Sequence, residues 1–211
     1  MCFTKKRRIP QRTLDEIKNI CNIVFVDDKS FSIIDIIKDC GWRNVQKLKD
    51  VDSIDQKEIR EAHIIFMDIQ GVGKKLKLRD EGLGLIVAIK TKYPSKKIIA
   101  YSAEDQGQVA AFHQGLELAD SRLSKNADSY EFQFRLEKFS KQIFSLEECI
   151  ERIKNILIGE LGFSPQTEEI IKKLEKINKS DAISIDVVTK YFNIQNAANL
   201  TTIIQLFLKG C

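Results

Sequence analysis

Residues 23–28 read Ile23-Val24-Phe25-Val26-Asp27-Asp28, and residues 63–68 read His63-Ile64-Ile65-Phe66-Met67-Asp68. The first is a β-branched and aromatic run, the second reads as another buried run, and both stop at a carboxylate. A run that is apolar throughout, rather than alternating, suits a strand buried on both faces, as in a parallel sheet covered by helices. Between them, Phe31, Ile33, Ile34, Ile36 and Ile37 crowd one side of a helix that stops at Cys40-Gly41. A weaker strand is expected over Asn44 to Val51 and a polar helix over Ser53 to Ala62. Beyond Asp68 come a loop from Gly71, a helix from Glu81 to Tyr93 stopped by Pro94, and a strand Lys97 to Tyr101 closed by Ser102. Gln106 to Leu118 is expected to be helical, Ser121 to Ser124 to be a short strand closed by Lys125, and everything from Asp128 to be helical. Five strands separated by helices predict an α/β fold, a parallel sheet with helices on both faces, followed by a small all-α C-terminal domain.

Composition agrees with this division. The 211 residues are 43% hydrophobic and 30% charged, which excludes a mainly disordered chain. The net charge of +4 is confined to residues 1–21, where Lys5, Lys6, Arg7, Arg8, Arg12 and Lys18 face only Asp15 and Glu16. A phosphate-binding domain carries its own basic surface, so this charge argues weakly for nucleic acid. Residues 1–21 are expected to be a basic N-terminal extension. Five widely spaced cysteines without a C-x-x-C point to a reducing cytoplasm, not to a disulfide framework or zinc site. No stretch approaches the roughly 18 apolar residues needed to span a bilayer, and no membrane partner is expected.

In a parallel α/β sheet, ligands gather at the carboxyl ends of the strands. Those ends carry Asp27, Asp28, Asp68, Ser102 and Lys125. Converging carboxylates repel one another unless a cation neutralises them, and a hard divalent ion such as Mg²⁺ answers that need. The neighbouring hydroxyl and ammonium are donors suited to phosphoryl oxygens. The chemistry implied is phosphoryl transfer onto a carboxylate.

At these positions the sequence resembles the receiver domain of two-component response regulators, over about residues 22–143. The motifs are Val26-Asp27-Asp28, Phe66-Met67-Asp68, Tyr101-Ser102-Ala103 and Leu123-Ser124-Lys125, with echoes in Gly82-Leu83, Gly115 and Ala119-Asp120. The resemblance implies a flavodoxin-like, five-stranded sheet and a phosphoprotein of signal transduction, in which Asp68 takes a phosphoryl group from a sensor histidine kinase or phosphotransfer protein. It further implies that Asp28, Asp68 and the backbone carbonyl of Gln70 hold Mg²⁺ with support from Asp27. Ser102 and Lys125 would contact the phosphoryl group, and Ala103 would leave room for it. Such a chain phosphorylates itself and dephosphorylates slowly; it is not a turnover enzyme, the rival being a phosphatase with a carboxylate nucleophile. Three departures stand out: Asn126 where the family has a cis proline, Arg122 where it has a switch aromatic, and a long loop over 71–80 bearing Lys74, Lys75, Lys77 and Arg79. The charges of that loop are expected to be solvated.

Other signals carry less. Gly71-Val72-Gly73-Lys74-Lys75 lacks the spacing of a phosphate loop. His63 and His113 are isolated, and Trp42 reads as packing.

Phe132, Leu136, Phe139, Ile143, Leu146, Ile150, Ile153 and Leu157 form a heptad seam, but Ser145-Leu146-Glu147-Glu148 is a capping box that favours a new helix at Leu146. Further helices are expected from Ser164-Pro165 to Asn178, from Ile183 to Phe192, and from Asn196 to Lys209. Residues 183–209 are similar to a helix-turn-helix with Asn193 in the turn, yet 145–211 carries eight basic and nine acidic residues. Residues 145–211 are therefore expected to contact a protein target or a second copy in a homodimer, with DNA binding by 183–209 as the alternative.

Overall fold

The computed structural model describes residues 9, 11–103, 113–163 and 165–209. Its elements in chain order are α1 (Leu14–Ile20), β1 (Asn22–Val26), α2 (Ile33–Asp39), β2 (Asn44–Leu48), α3 (Lys57–Glu61), β3 (Ile64–Asp68), α4 (Glu81–Lys92), β4 (Lys97–Ser102), α5 (Gln114–Leu118) and β5 (Ser121–Ser124). Five helices follow: α6 (Ser129–Ile143), α7 (Leu146–Leu161), α8 (Thr167–Ile177), α9 (Ile185–Phe192) and α10 (Ala198–Lys209). The chain divides into two compact units. One is Leu14–Ser140; the other joins the described residues of Met1–Thr13 to those of Lys141–Cys211.

The first unit is a five-stranded sheet in the order β2-β1-β3-β4-β5, with every pair parallel. This is the flavodoxin-like doubly wound order, which reverses direction between β1 and β3 and opens a crevice there. Strand alternation gives the sheet two different faces. Val24, Val26, Ile65, Met67, Ile98 and Ala100 pack with Ile59, Leu85, Ile86 and Ile89 in an aliphatic layer. The opposite face includes an aromatic cluster: Phe25 stacks on Phe66 at 4.4 Å, Phe31, from the loop after β1, stacks on Tyr101 at 5.2 Å, and Phe132 of α6 meets Phe31, Phe66 and Tyr101.

Several expected boundaries move, for local reasons. The polar helix shortens to Lys57–Glu61, because the Gln56 side chain accepts the Asp52 and Ser53 N–H groups and Ser53 Oγ accepts that of Asp55, forming a turn instead. β2 ends at Leu48, and Val51 packs beyond it. Of the helix expected over Gln106 to Leu118, Gln114–Leu118 is helical and residues 106–112 lie outside the described residues.

The basic extension expected over residues 1–21 does not behave as one piece in its described part. Leu14–Ile20 is helical and belongs to the sheet unit: Ile17 is buried, Lys18 Nζ donates to the Cys40 carbonyl at 2.9 Å, and Lys18 lies over the buried Trp42 ring. Ile9 is instead buried in the helical unit, and Arg12 Nη2 donates to the Phe207 carbonyl of α10 at 3.0 Å.

In the helical unit, the heptad seam is broken where the capping box requires it. Ser145 Oγ accepts the Glu148 N–H at 3.1 Å and starts α7. Gly162 closes α7 in the left-handed conformation, and Asn193 closes α9 at φ +54°. α8 starts at Thr167 with Gln166 as its cap, two residues later than Pro165; Ser164 lies outside the described residues. Ile153, Leu157, Ile170, Leu174, Val188, Leu200 and Ile204 form the core of this unit.

Loss of the Ser145 hydroxyl leaves one N–H of the first turn of α7 without its acceptor. Ser145→Ala is therefore expected to destabilise the chain by about 1 kcal/mol in urea unfolding followed by circular dichroism. A change within error of zero would remove the cap from the account of why the seam breaks.

Candidate functional site

The strand ends converge as the sheet order requires. Asp27 follows β1 and is tied to the sheet by its N–H to the Leu48 carbonyl, 2.9 Å. Asp68 is the last residue of β3 and faces Tyr101 in register; Ser102 ends β4 opposite Ser124. Lys125 follows β5, and its N–H donates to the Ser102 carbonyl at 2.6 Å. Asp27, Asp68 and Ser102 are buried, whereas Asp28 is exposed at the rim.

One ammonium organises the group. Lys125 Nζ lies 2.8 Å from Asp27 Oδ2 and 2.8 Å from Asp68 Oδ2. It also sits over the Phe31 and Tyr101 rings, at 5.4 and 5.5 Å. The remaining carboxylate oxygens are held by backbone: Lys29 N–H donates to Asp27 Oδ1 at 2.8 Å and Gln70 N–H to Asp68 Oδ1 at 3.1 Å. Burial pushes the Asp68 carboxyl above its ordinary range, and the bonds from Lys125 and Gln70 only partly offset it. Burial opposes the charge on Lys125, but hydrogen bonds to Asp27 and Asp68 outweigh it and raise its pKa. The two directions are compatible because a single ammonium serves two carboxylates, leaving the trio with excess negative charge.

That excess is what a divalent cation would neutralise. Asp27, Asp28 and Asp68 each offer a carboxylate oxygen within 4.8 Å of the others, a hard oxygen set of the kind Mg²⁺ prefers. Local backbone keeps the space clear. Gly71 has φ +82°, and a Cβ there would come within 2.5 Å of Asp28 Oδ2. Gly82 lets α4 approach so closely that a Cβ would lie 2.1 Å from the Asp68 carbonyl oxygen.

The positions that depart from the receiver pattern have definite structures. The Lys125-Asn126 peptide is trans, and Asn126 N–H donates to Ser124 Oγ. Arg122 is exposed and donates to the Leu116 carbonyl. The 71–80 loop exposes its cations as expected, but it is also anchored. Val72 is buried, Asp50 accepts the Gly73 and Lys75 N–H groups, Lys75 pairs with Asp52 at 2.6 Å, and Glu81 accepts the Gly71 N–H. Burial works against the Asp50 charge, but the three N–H groups of Lys75, Gly73 and Val51 overcome it and hold its pKa low.

The two histidines are built into the fold. His63 Nδ1 accepts the Asn22 N–H, and His113 Nδ1 accepts that of Gly115 at the start of α5. Sequence reading passed over Tyr101 as a site residue; its hydroxyl donates to Asp27 Oδ2 at 2.9 Å in the buried interior. Burial and the neighbouring carboxylates push that phenol pKa well up, so it stays a donor. Its only mark in the sequence was a hydroxyl in an otherwise apolar strand.

No family model and no curated relative matches the sequence. Among solved structures, the chain is similar to the receiver domain of NtrX from Brucella abortus, with 22% identity over 57% of this chain and 98% of that one, at a TM-score of 0.45. It is also similar to the isolated receiver domain of RcsB from Salmonella enterica serovar Typhimurium, solved with the phosphomimetic BeF3-, with 22% identity over 56% of this chain and 86% of that one and a TM-score of 0.47. A longer NtrX structure from Brucella abortus, in complex with ADP, matches at 16% identity over 82% of this chain and 39% of that one, with a TM-score of 0.48.

A carboxyl whose pKa is raised by folding adds stability while protonated and loses that contribution as pH rises through the raised value. The unfolding midpoint of the wild type relative to Asp68→Asn is therefore expected to fall from pH 4 to pH 7 in metal-free buffer. Differential scanning calorimetry at several pH values checks this, and a relative midpoint that rises with pH contradicts it.

Proposed function

We propose that the chain is a response regulator whose sheet unit accepts a phosphoryl group on Asp68. The observation that carries this reading is the Lys125 ammonium 2.8 Å from both Asp27 and Asp68 at the carboxyl edge of the sheet. An ammonium placed there pairs with the carboxylate before transfer and with phosphoryl oxygens after it.

The donor is a phosphohistidine on a sensor kinase or phosphotransfer protein. An Asp68 carboxylate oxygen attacks phosphorus, the P–N bond breaks, and its electron pair leaves with the imidazole, which carries a proton. Asp28, Asp68 and the Gln70 carbonyl, with support from Asp27, would hold Mg²⁺, whose positive charge would offset that of the carboxylates and the phosphoryl oxygens. Ser102 ends β4 within the same crevice and serves as a hydroxyl donor to the acyl phosphate; the exposed, small Ala103 beside it leaves the entrance open. The acyl phosphate forms once per chain and is removed by slow hydrolysis, in which water attacks phosphorus, inorganic phosphate leaves and the Asp68 carboxylate is regenerated.

The helical unit is the output. Its α10 carries Lys209 as its single basic residue and buries Leu200, Thr201, Ile204 and Phe207. That composition suits contact with a protein target or a second copy better than phosphate contacts in a DNA groove. The described residues contain no helix long and apolar enough to cross a membrane. We place the chain in the cytoplasm, where its donor histidine would be presented.

Incubation of the whole chain with acetyl phosphate and Mg²⁺ is expected to give the wild type a mass gain of one phosphoryl group that is labile to hydroxylamine. Asp68→Ala gains none. An unmodified wild type, or label on the variant, counts against Asp68 as acceptor.

A further inference from the structure

Tyr101 is among the largest fully buried side chains of the described residues, yet it carries a hydroxyl. Its ring stacks on Phe31 and meets Phe132 edge-on, a space that phenylalanine would fill equally well. A buried hydroxyl is costly unless bonded, so its bond identifies what it does. It donates across 74 residues of sequence to Asp27 Oδ2. That oxygen also receives Lys125 Nζ, and Asp27 Oδ1 receives the Lys29 N–H. A carboxylate has about four lone-pair sites. Both on Oδ2 are thus taken by protein donors, and only Oδ1 keeps one open.

We infer that Tyr101 is a positioning residue of the phosphoryl site: its hydroxyl holds Asp27 with Oδ2 turned toward Lys125 and competes with the divalent cation for the charge on that carboxylate. Asp28 and Asp68 would then be the main carboxylates left to hold the cation, with Oδ1 the oxygen of Asp27 left to support it. This rests on the receiver reading above. An O–H bonded to a carboxylate stabilises its charge, leaving less of it to attract Mg²⁺. The hydroxyl therefore makes the acidic trio a weaker cation site than its three charges alone would be.

The test is isothermal titration of the full chain with Mg²⁺, comparing wild type, Tyr101→Phe, Asp27→Asn and the double variant. Tyr101→Phe keeps the ring, and is expected to tighten Mg²⁺ binding about tenfold, the low end of what a hydrogen bond to a charged group is worth. In the Asp27→Asn background the same substitution leaves the dissociation constant unchanged. A purely packing role for the phenol would move the unfolding midpoint but not that constant. Equal or weaker Mg²⁺ binding by Tyr101→Phe, or the same tightening in both backgrounds, overturns the inference while leaving the receiver reading intact. A wild type that binds no Mg²⁺ overturns the receiver reading, and this inference with it.

Discussion

Everything at the carboxyl edge of the sheet depends on one constraint: a single ammonium, that of Lys125, must serve two buried carboxylates from different strands. Burying even one unpaired carboxylate is prohibitive, and one cation for two leaves a deficit. The parallel order β2-β1-β3-β4-β5 creates the problem, because it sets β1 beside β3 and brings their terminal aspartates together. The surroundings are arranged to contain it. Backbone N–H groups of Lys29 and Gln70 bond the outer oxygens, the Tyr101 hydroxyl bonds the inner one, and aromatic rings flank the ammonium. The charge that remains is what the proposed cation site and phosphoryl acceptor rest on.

The sheet was legible because its central strands β1, β3 and β4 are buried on both faces, so β1 and β3 read as unbroken apolar runs and their limits as the first charged residue. The acidic pair, Asp68 and Ser102 were legible for the same reason, being the polar residues that stop the runs of β1, β3 and β4, whereas Lys125 follows the half-exposed Ser121–Ser124 and was legible only from its order in the motif set. What escaped were contacts between positions far apart in sequence. Nothing near Tyr101 indicates that its hydroxyl ends on Asp27, and nothing near Asp50 indicates that it accepts the backbone of the 71–80 loop. The helix Leu14–Ile20 escaped because Ile17 is its one buried residue, too little to impose a 3.6-residue period on a polar segment.

The helical unit shows the reverse balance. Its caps are local, and two were readable: Ser145 before α7 and Asn193 after α9; Ser184, inside the helix expected from Ile183, caps α9 instead. The part played by Ile9 and Arg12 was not, since a segment counted as a basic extension supplies a core residue and a hydrogen bond to helices more than a hundred residues away. The described residues before Leu14 cluster with the described residues of 141–209, which makes this unit discontinuous in sequence. We regard that arrangement as the structural basis for treating the helices as a folded module and not as a tail.

The central claim, that Asp68 and its partners are arranged to hold a phosphoryl group with a divalent cation, is most directly tested by ¹⁹F nuclear magnetic resonance of the full chain with Mg²⁺ and beryllofluoride, a stable mimic of that group. The expected result is a set of bound fluorine resonances in the wild type that require Mg²⁺ and are abolished by Asp68→Asn. Absence of bound resonances in the wild type, or their persistence in the variant, would contradict the account.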